Sequence, residues 1–279
     1  MPYFRTETAE LYYEEIGEGR PIVLLHGFTI DHRLMKGCME PVFAARPGWK
    51  RLYLDLPGMG RTRSYEGITD SDGMLDAVLA AIRQWLPGGE PFCLAGESYG
   101  GYLARGIAER SPESVAGLGL ICPMILPAHD DRQLPEHRIL REDVSLAESA
   151  AGPDFDDFRQ MAVVANARTW RRYIEDVLPG LRLGDTRFLD GIRERYGFSF
   201  PLETAVMDKP GLLVAGRQDV SVGYRDALEL LERYPRLTYA VLDTAGHNLQ
   251  FEQPELFEAL VHEWLDRVER EQFGPAAAD

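Results

Sequence analysis

The stretch 91–101, PFCLAGESYGG, constrains this chain more than any other. An apolar run of strand length ends at Gly96, and a stretch with helical spacing opens at Tyr99. Only Glu97 and Ser98 are left to reverse the direction. A turn that tight puts the serine in a strained backbone conformation, and side chains two residues to either side would collide across it, hence glycine at 96 and 100. The hydroxyl is lifted above the end of a sheet, at the start of a helix. Unpaired N–H groups and the helix dipole there favour negative charge.

The rest of the chain repeats the same rhythm. Residues 3–8 and 10–16 alternate as a first antiparallel pair, and IVLLHG (22–27), RLYLDL (51–56), VAGLGLIC (115–122), GLLVAG (211–216) and LTYAVLD (237–243) read as further strands. Helical spacing falls over 72–86, 99–110, 222–234 and 254–271. Strand and helix in alternation predict an α/β class fold with a mostly parallel sheet covered on both faces. Between Pro123 and Ser199 the rhythm stops, and only charge-rich helical stretches remain, over 134–150, 153–178 and 185–196. The expected organisation is therefore a core in two parts, 1–123 and 205–279, interrupted by a helical cap over 124–204. The tail GPAAAD is expected to fray.

Composition narrows the partners. With 30 basic and 45 acidic residues the chain carries a net charge of −15, which disfavours nucleic acid and anionic membrane surfaces alike. No stretch approaches the roughly 20 apolar residues of a membrane helix, and the N-terminus lacks the pattern of a signal peptide. Cys38, Cys93 and Cys122 are an odd set without paired spacing, which fits buried thiols in a reducing compartment. A soluble, cytoplasmic protein acting on a small molecule is expected, and a homo-oligomer is compatible with the sequence. Neither H-E-x-x-H nor G-x-G-x-x-G after a strand occurs, so no metal or organic cofactor is called for.

A serine hydroxyl needs a base, and the base needs an orienting acid. Of the six histidines only His247 follows a late strand, in AGHNLQFEQP. The acid should leave the end of the preceding strand, where GRQD offers Asp219; Asp243 is nearer in sequence but suits local turn chemistry. The catalytic candidates are then Ser98, Asp219 and His247, in nucleophile–acid–base chain order.

With HGF (26–28), DLPGMGRT (55–62), GESYGG (96–101), GRQD (216–219) and AGHNLQFEQP (245–254), the sequence resembles the α/β-hydrolase superfamily over nearly its whole length. The resemblance implies the α/β-hydrolase fold with an inserted helical cap closing over the pocket. It also implies backbone N–H groups of Phe28 and Tyr99 as the oxyanion hole, and a structural His26. The function expected is hydrolysis of a small carboxylic ester or lactone through an acyl-enzyme. The alternatives are hydrolysis of a carbon–carbon bond in a β-diketone-like substrate, peptidase action, or a non-catalytic ligand-binding protein on the same fold. GESYG also resembles the corresponding string of serine carboxypeptidases, whose glutamate helps hold a substrate carboxylate; elsewhere that residue packs beside the sheet ends. Substrate contacts are expected from the aromatic insertion, with Trp170, Phe155, Phe158 and Tyr173 as candidates.

Overall fold

The computed structural model describes residues 2–274; all of the GPAAAD tail beyond Gly274 lies outside them. Ten strands are present among the described residues. In chain order they are β1 (Tyr3–Arg5), β2 (Glu10–Ile16), β3 (Arg20–Leu25), β4 (Trp49–Leu54), β5 (Phe92–Glu97), β6 (Val115–Ile121), β7 (Arg141–Glu142), β8 (Val164–Ala165), β9 (Gly211–Gly216) and β10 (Leu237–Leu242). Eight of them form one sheet in the order β1-β2-β4-β3-β5-β6-β9-β10. β1 and β2 pair antiparallel, as does β2 with β4, and every later pairing is parallel.

The core helices are α1 (Arg33–Ala44), α2 (Ser71–Trp85) and α3 (Tyr99–Arg110). The insertion contributes α4 (Val144–Ser149), α5 (Pro153–Met161), α6 (Ala167–Arg172), α7 (Leu178–Leu183) and α8 (Thr186–Arg193). The closing helices are α9 (Leu230–Arg233), α10 (Leu249–Glu252) and α11 (Pro254–Val268). α1 packs with α11, and α2 with α3, one pair on each face of the sheet. The central strands β5, β6 and β9 are buried along their entire length, which explains their unbroken apolar runs.

Sheet order also decides where a site can form. From β3 the chain crosses to β4 on one side and later returns to β5 on the other. The loops leaving β3 and β5 therefore diverge at their C-terminal ends and open a crevice.

The insertion departs from the expected helices in two places. Residues 134–143 are not helical: the Leu140 and Arg141 amides donate to the Val163 carbonyl, and β7 pairs with β8 in a two-stranded ribbon. The expected helix over 153–178 is broken by that ribbon. It restarts at Asn166, whose side chain accepts from the Thr169 amide while the Thr169 hydroxyl accepts from the Asn166 amide. The expected helix over 222–234 is shortened to a 3-10 turn, Asp226–Glu229, and α9, because the chain first turns through Gly223 at φ 70°.

Candidate active site

Ser98 stands between β5 and α3 at φ 53°, ψ −114°, a left-handed conformation that L residues adopt only under strain. Its amide donates to the Ile121 carbonyl at 3.0 Å, and its carbonyl accepts from the Tyr102 and Met124 amides at 3.1 and 3.0 Å. Those three bonds hold the turn. A Cβ on Gly96 would overlap the Gly100 carbonyl, and one on Gly100 would overlap the Leu25 carbonyl, so the two glycines let the helix lie directly on the strand ends.

Asp219 follows β9 and is fully buried. Its Oδ1 accepts from the Ser221 and Val222 amides at 2.8 and 3.1 Å, which leaves Oδ2 for His247 Nδ1 at 2.9 Å. His247 follows β10, also buried. Burial alone would depress its pKa, but the Asp219 and Glu97 carboxylates outweigh that and lift it to about 9. Nε2 faces Glu97 Oε1 at 3.2 Å, and no hydrogen bond joins it to Ser98 among the described residues. Asp243, the competing acid, is exposed and accepts from Gln218 at 2.9 Å, as suits a turn.

The loop after β3 carries His26, Gly27 and Phe28. The Leu56 amide donates to His26 Nε2 at 3.0 Å, so the proton sits on Nδ1, which donates to the Gly27 carbonyl at 2.7 Å. His26 is thus a buried brace for this loop. A second brace, not anticipated from sequence, is Asp55: its Oδ1 accepts from both the His32 amide and His32 Nδ1, at 2.9 and 2.7 Å. The Phe28 ring meets the Tyr99 ring edge-on at 5.1 Å, which brings the two residues expected to supply oxyanion amides side by side. Tyr99 opens α3, where the amides have no intrahelical acceptor.

Ser98, Glu97, His247, Gly27 and Phe28 share the wall of a cavity of about 780 Å³. Its apolar lining includes Met124, Met161, Tyr173, Val177 and Leu181; its polar lining includes Arg132, Arg193 and Asp157. Tyr173 therefore reaches the cavity, whereas Phe155, Phe158 and Trp170 do not line it. These three aromatics pack on each other, with Trp170 at 5.1 Å from Phe155 and 5.4 Å from Phe158, in a small apolar cluster that the insertion shares with Ile30, Leu34 and Phe251. The expectation that they contact substrate is corrected: these rings pin the insertion onto Ile30, Leu34 and Phe251 of the core. Glu97 is the opposite correction, since it turns into the cavity instead of packing beside the sheet ends.

Polar clamps join the insertion to the core. Arg105 on α3 pairs with Glu203 at 2.7 Å and donates to the Met124 carbonyl at 3.0 Å, gripping both ends of the insertion. Arg132 donates to the carbonyls of Leu126, Pro127 and Ser221 at 2.8, 2.8 and 2.9 Å. Glu252 Oε1 accepts from the Val163 and Val164 amides at 2.6 and 3.0 Å, and Oε2 from the Gly246 amide, next to His247, at 2.6 Å. Nothing in the sequence singled out Glu252 beyond its place in AGHNLQFEQP.

Two buried clusters have metal-ligand atoms within 4.8 Å of one another: Cys122–Asp219–His247 and Asp31–His32–Asp55. In each the imidazole is already hydrogen-bonded to a carboxylate, so these atoms serve the loops just described. Among the described residues no helix is long and apolar enough to cross a membrane.

Comparison with known proteins follows the same geometry. The alpha/beta hydrolase family model matches residues 22–260. AB hydrolase superfamily protein YisY of Bacillus subtilis is 26% identical, covering 93% of this chain and 97% of that protein. The pimeloyl-acyl-carrier-protein methyl ester esterase of Shewanella woodyi is 24% identical, covering 93% and 99%. Monoacylglycerol lipase ABHD6 of Bos taurus is 24% identical, covering 95% and 82%. Among solved structures, an alpha/beta superfamily hydrolase from Oenococcus oeni superposes with a TM-score of 0.87 at 32% identity, covering 96% of this chain and all of that one. The chain belongs to the alpha/beta hydrolase family.

Proposed function

We propose that this hydrolase cleaves a small carboxylic ester or lactone through an acyl-enzyme on Ser98. One observation carries the reading: a serine held at φ 53° immediately before α3 shares its cavity with a histidine whose Nδ1 is bonded to a buried aspartate. Asp219 holds the ring at Nδ1, so that Nε2 is the nitrogen that serves as the base once deprotonated. Nε2 takes the Ser98 proton as Oγ attacks the carbonyl carbon, and the Phe28 and Tyr99 amides receive the oxyanion. A single such donor contributes roughly 2.7–4 kcal/mol to the transition state. The imidazolium then protonates the departing alcohol, and water, deprotonated by the same nitrogen, releases the acid and restores Ser98.

Residues 124–204 act as the cap in this reading, supplying the apolar walls where an acyl chain would lie. The names of two relatives support ester chemistry, one a methyl ester esterase and the other a monoacylglycerol lipase. The test is a panel of activated esters, lactones and vinylogous diketones, each run with wild type and Ser98→Ala. Ester or lactone turnover that Ser98→Ala lowers by about 10³-fold or more is expected. Turnover confined to the diketones, or untouched in Ser98→Ala, would overturn the reading.

A further inference from the structure

We propose that Glu97 is a positioning residue that takes hold of His247 Nε2, so that Glu97 and Ser98 compete for one ring nitrogen and turnover proceeds once Glu97 lets go. The proposal rests on the Ser98–His247–Asp219 reading above and adds a fourth group to it.

The geometry is specific. Glu97 is the last residue of β5 and only 2% exposed, yet its side chain lines the cavity. Oε1 lies 3.2 Å from His247 Nε2, while Oε2 is buried without a hydrogen-bond partner. The loop that carries Phe28 is shaped around this carboxylate, since a Cβ on Gly27 would overlap Oε2. The imidazole thus has a carboxylate on each nitrogen, Asp219 at Nδ1 and Glu97 at Nε2. A residue that served packing alone would not be a buried carboxylate, because burying an unpaired charge costs several kcal/mol in general.

Charge follows from that arrangement. Burial pushes the Glu97 carboxyl up to about 7, although the imidazole pulls it down. Burial lowers His247, and the two carboxylates more than reverse this, to about 9. His247 can act as base only once neutral, so with Glu97 ionised the activity should climb through a limb on the alkaline side of an ordinary histidine, near 6.5. The two groups titrate as a pair, and the limb belongs to both. Other charged and titratable groups face the same ring. Asp219 comes from the loop after β9, with Glu252 acting on it from α10, and Cys122 lies behind it at the end of β6. From the insertion come Arg132, which opposes protonation, and His129, Asp157, Arg193 and Tyr196 on the cavity wall. All of these stay in place when Glu97 alone is changed.

The experiment is the pH profile of kcat/KM for p-nitrophenyl acetate with wild type, Glu97→Gln, Glu97→Asp and Ser98→Ala. Removing the carboxylate charge should move the lower limb down by about one pH unit or more, while Glu97→Asp, which keeps the charge, should stay nearer wild type. An unmoved limb in an active Glu97→Gln variant overturns the proposal, as does a folded Glu97→Gln that is inactive at every pH. Wild-type turnover that survives Ser98→Ala removes the reading beneath it, and is recognised separately in the same series. If Glu97→Gln does not fold, Glu97→Ala is read on the same profile in its place: a lower limb that moves down supports the proposal, and an unmoved limb overturns it.

Discussion

The central sheet and the helical insertion are held by different kinds of contact. The central strands are apolar: Leu24, Leu94, Leu120 and Val214 on neighbouring strands are all fully buried. The insertion rests on smaller apolar contacts, those of Phe155, Phe158 and Tyr173 with Ile30, Leu34 and Phe251, and those of Leu189 and Ile192 with the main core. It is tied down in addition by polar groups, the buried Arg105 and Glu252 and the half-buried Arg132. Close packing fixes Ser98, Asp219 and His247 to strand ends, where little can shift. Directional bonds add to apolar contact in fixing the roof of the cavity. In the proposed reading, chemistry and substrate selection then rest on differently held parts of the molecule.

Paired glycine substitutions give the largest expected contrast. Gly100→Ala drives a methyl into the Leu25 backbone, whereas Gly191 on α8 faces open space. Gly100→Ala should destabilise by more than about 4 kcal/mol and yield little soluble protein. Gly191→Ala should raise stability by up to about 1 kcal/mol, read as a higher Tm. Equal effects would contradict the contrast between the two regions.

Glu252→Gln comes next. It sets an amide NH₂ against backbone N–H donors at 163–164 or at Gly246, one clamp on the insertion and one beside His247. We expect a loss of about 1–3 kcal/mol in urea unfolding and a fall in kcat larger than any rise in KM. A change in KM alone would mean that Glu252 holds the roof without holding the histidine.

The smallest effects separate the cavity wall from the insertion's apolar cluster. Leu181 lines the cavity and is 40% exposed, while Phe155 is buried away from it. Leu181→Ala should leave Tm nearly unchanged and raise KM for longer acyl esters about five-fold, since a half-exposed isobutyl group covers apolar substrate surface worth on the order of 1 kcal/mol. Phe155→Leu should lower stability by about 1 kcal/mol and leave acyl-chain preference alone. The reverse pattern would return Phe155 to the substrate contacts.

The same contrast explains what the sequence disclosed. A strand buried on both faces must be an unbroken apolar run, so IVLLHG, PFCLAG and GLLVAG are visible by inspection, as are the turn glycines around Ser98. Asp219 follows such a strand, and His247 follows the half-buried edge strand β10, so the chain order of the two candidates could be read. In the insertion an aromatic residue has two destinations, the apolar cluster or the cavity, and spacing does not distinguish Phe155 from Tyr173. The first part of the helix expected over 134–150 is absent because Val163, distant in sequence, captures the amides of Leu140 and Arg141, and only Val144–Ser149 is helical. Glu97 was misplaced for a similar reason: which way a strand's last side chain turns depends on Gly27 and His247, contacts no local pattern contains.

The central claim is that Ser98 is the nucleophile, and covalent labelling tests it most directly. Wild type and Ser98→Ala are treated with a fluorophosphonate, and the modified peptide is mapped by mass spectrometry. The account predicts one adduct per chain, on Ser98, and none in Ser98→Ala. An adduct on another residue, or no adduct in a folded wild type, would contradict it.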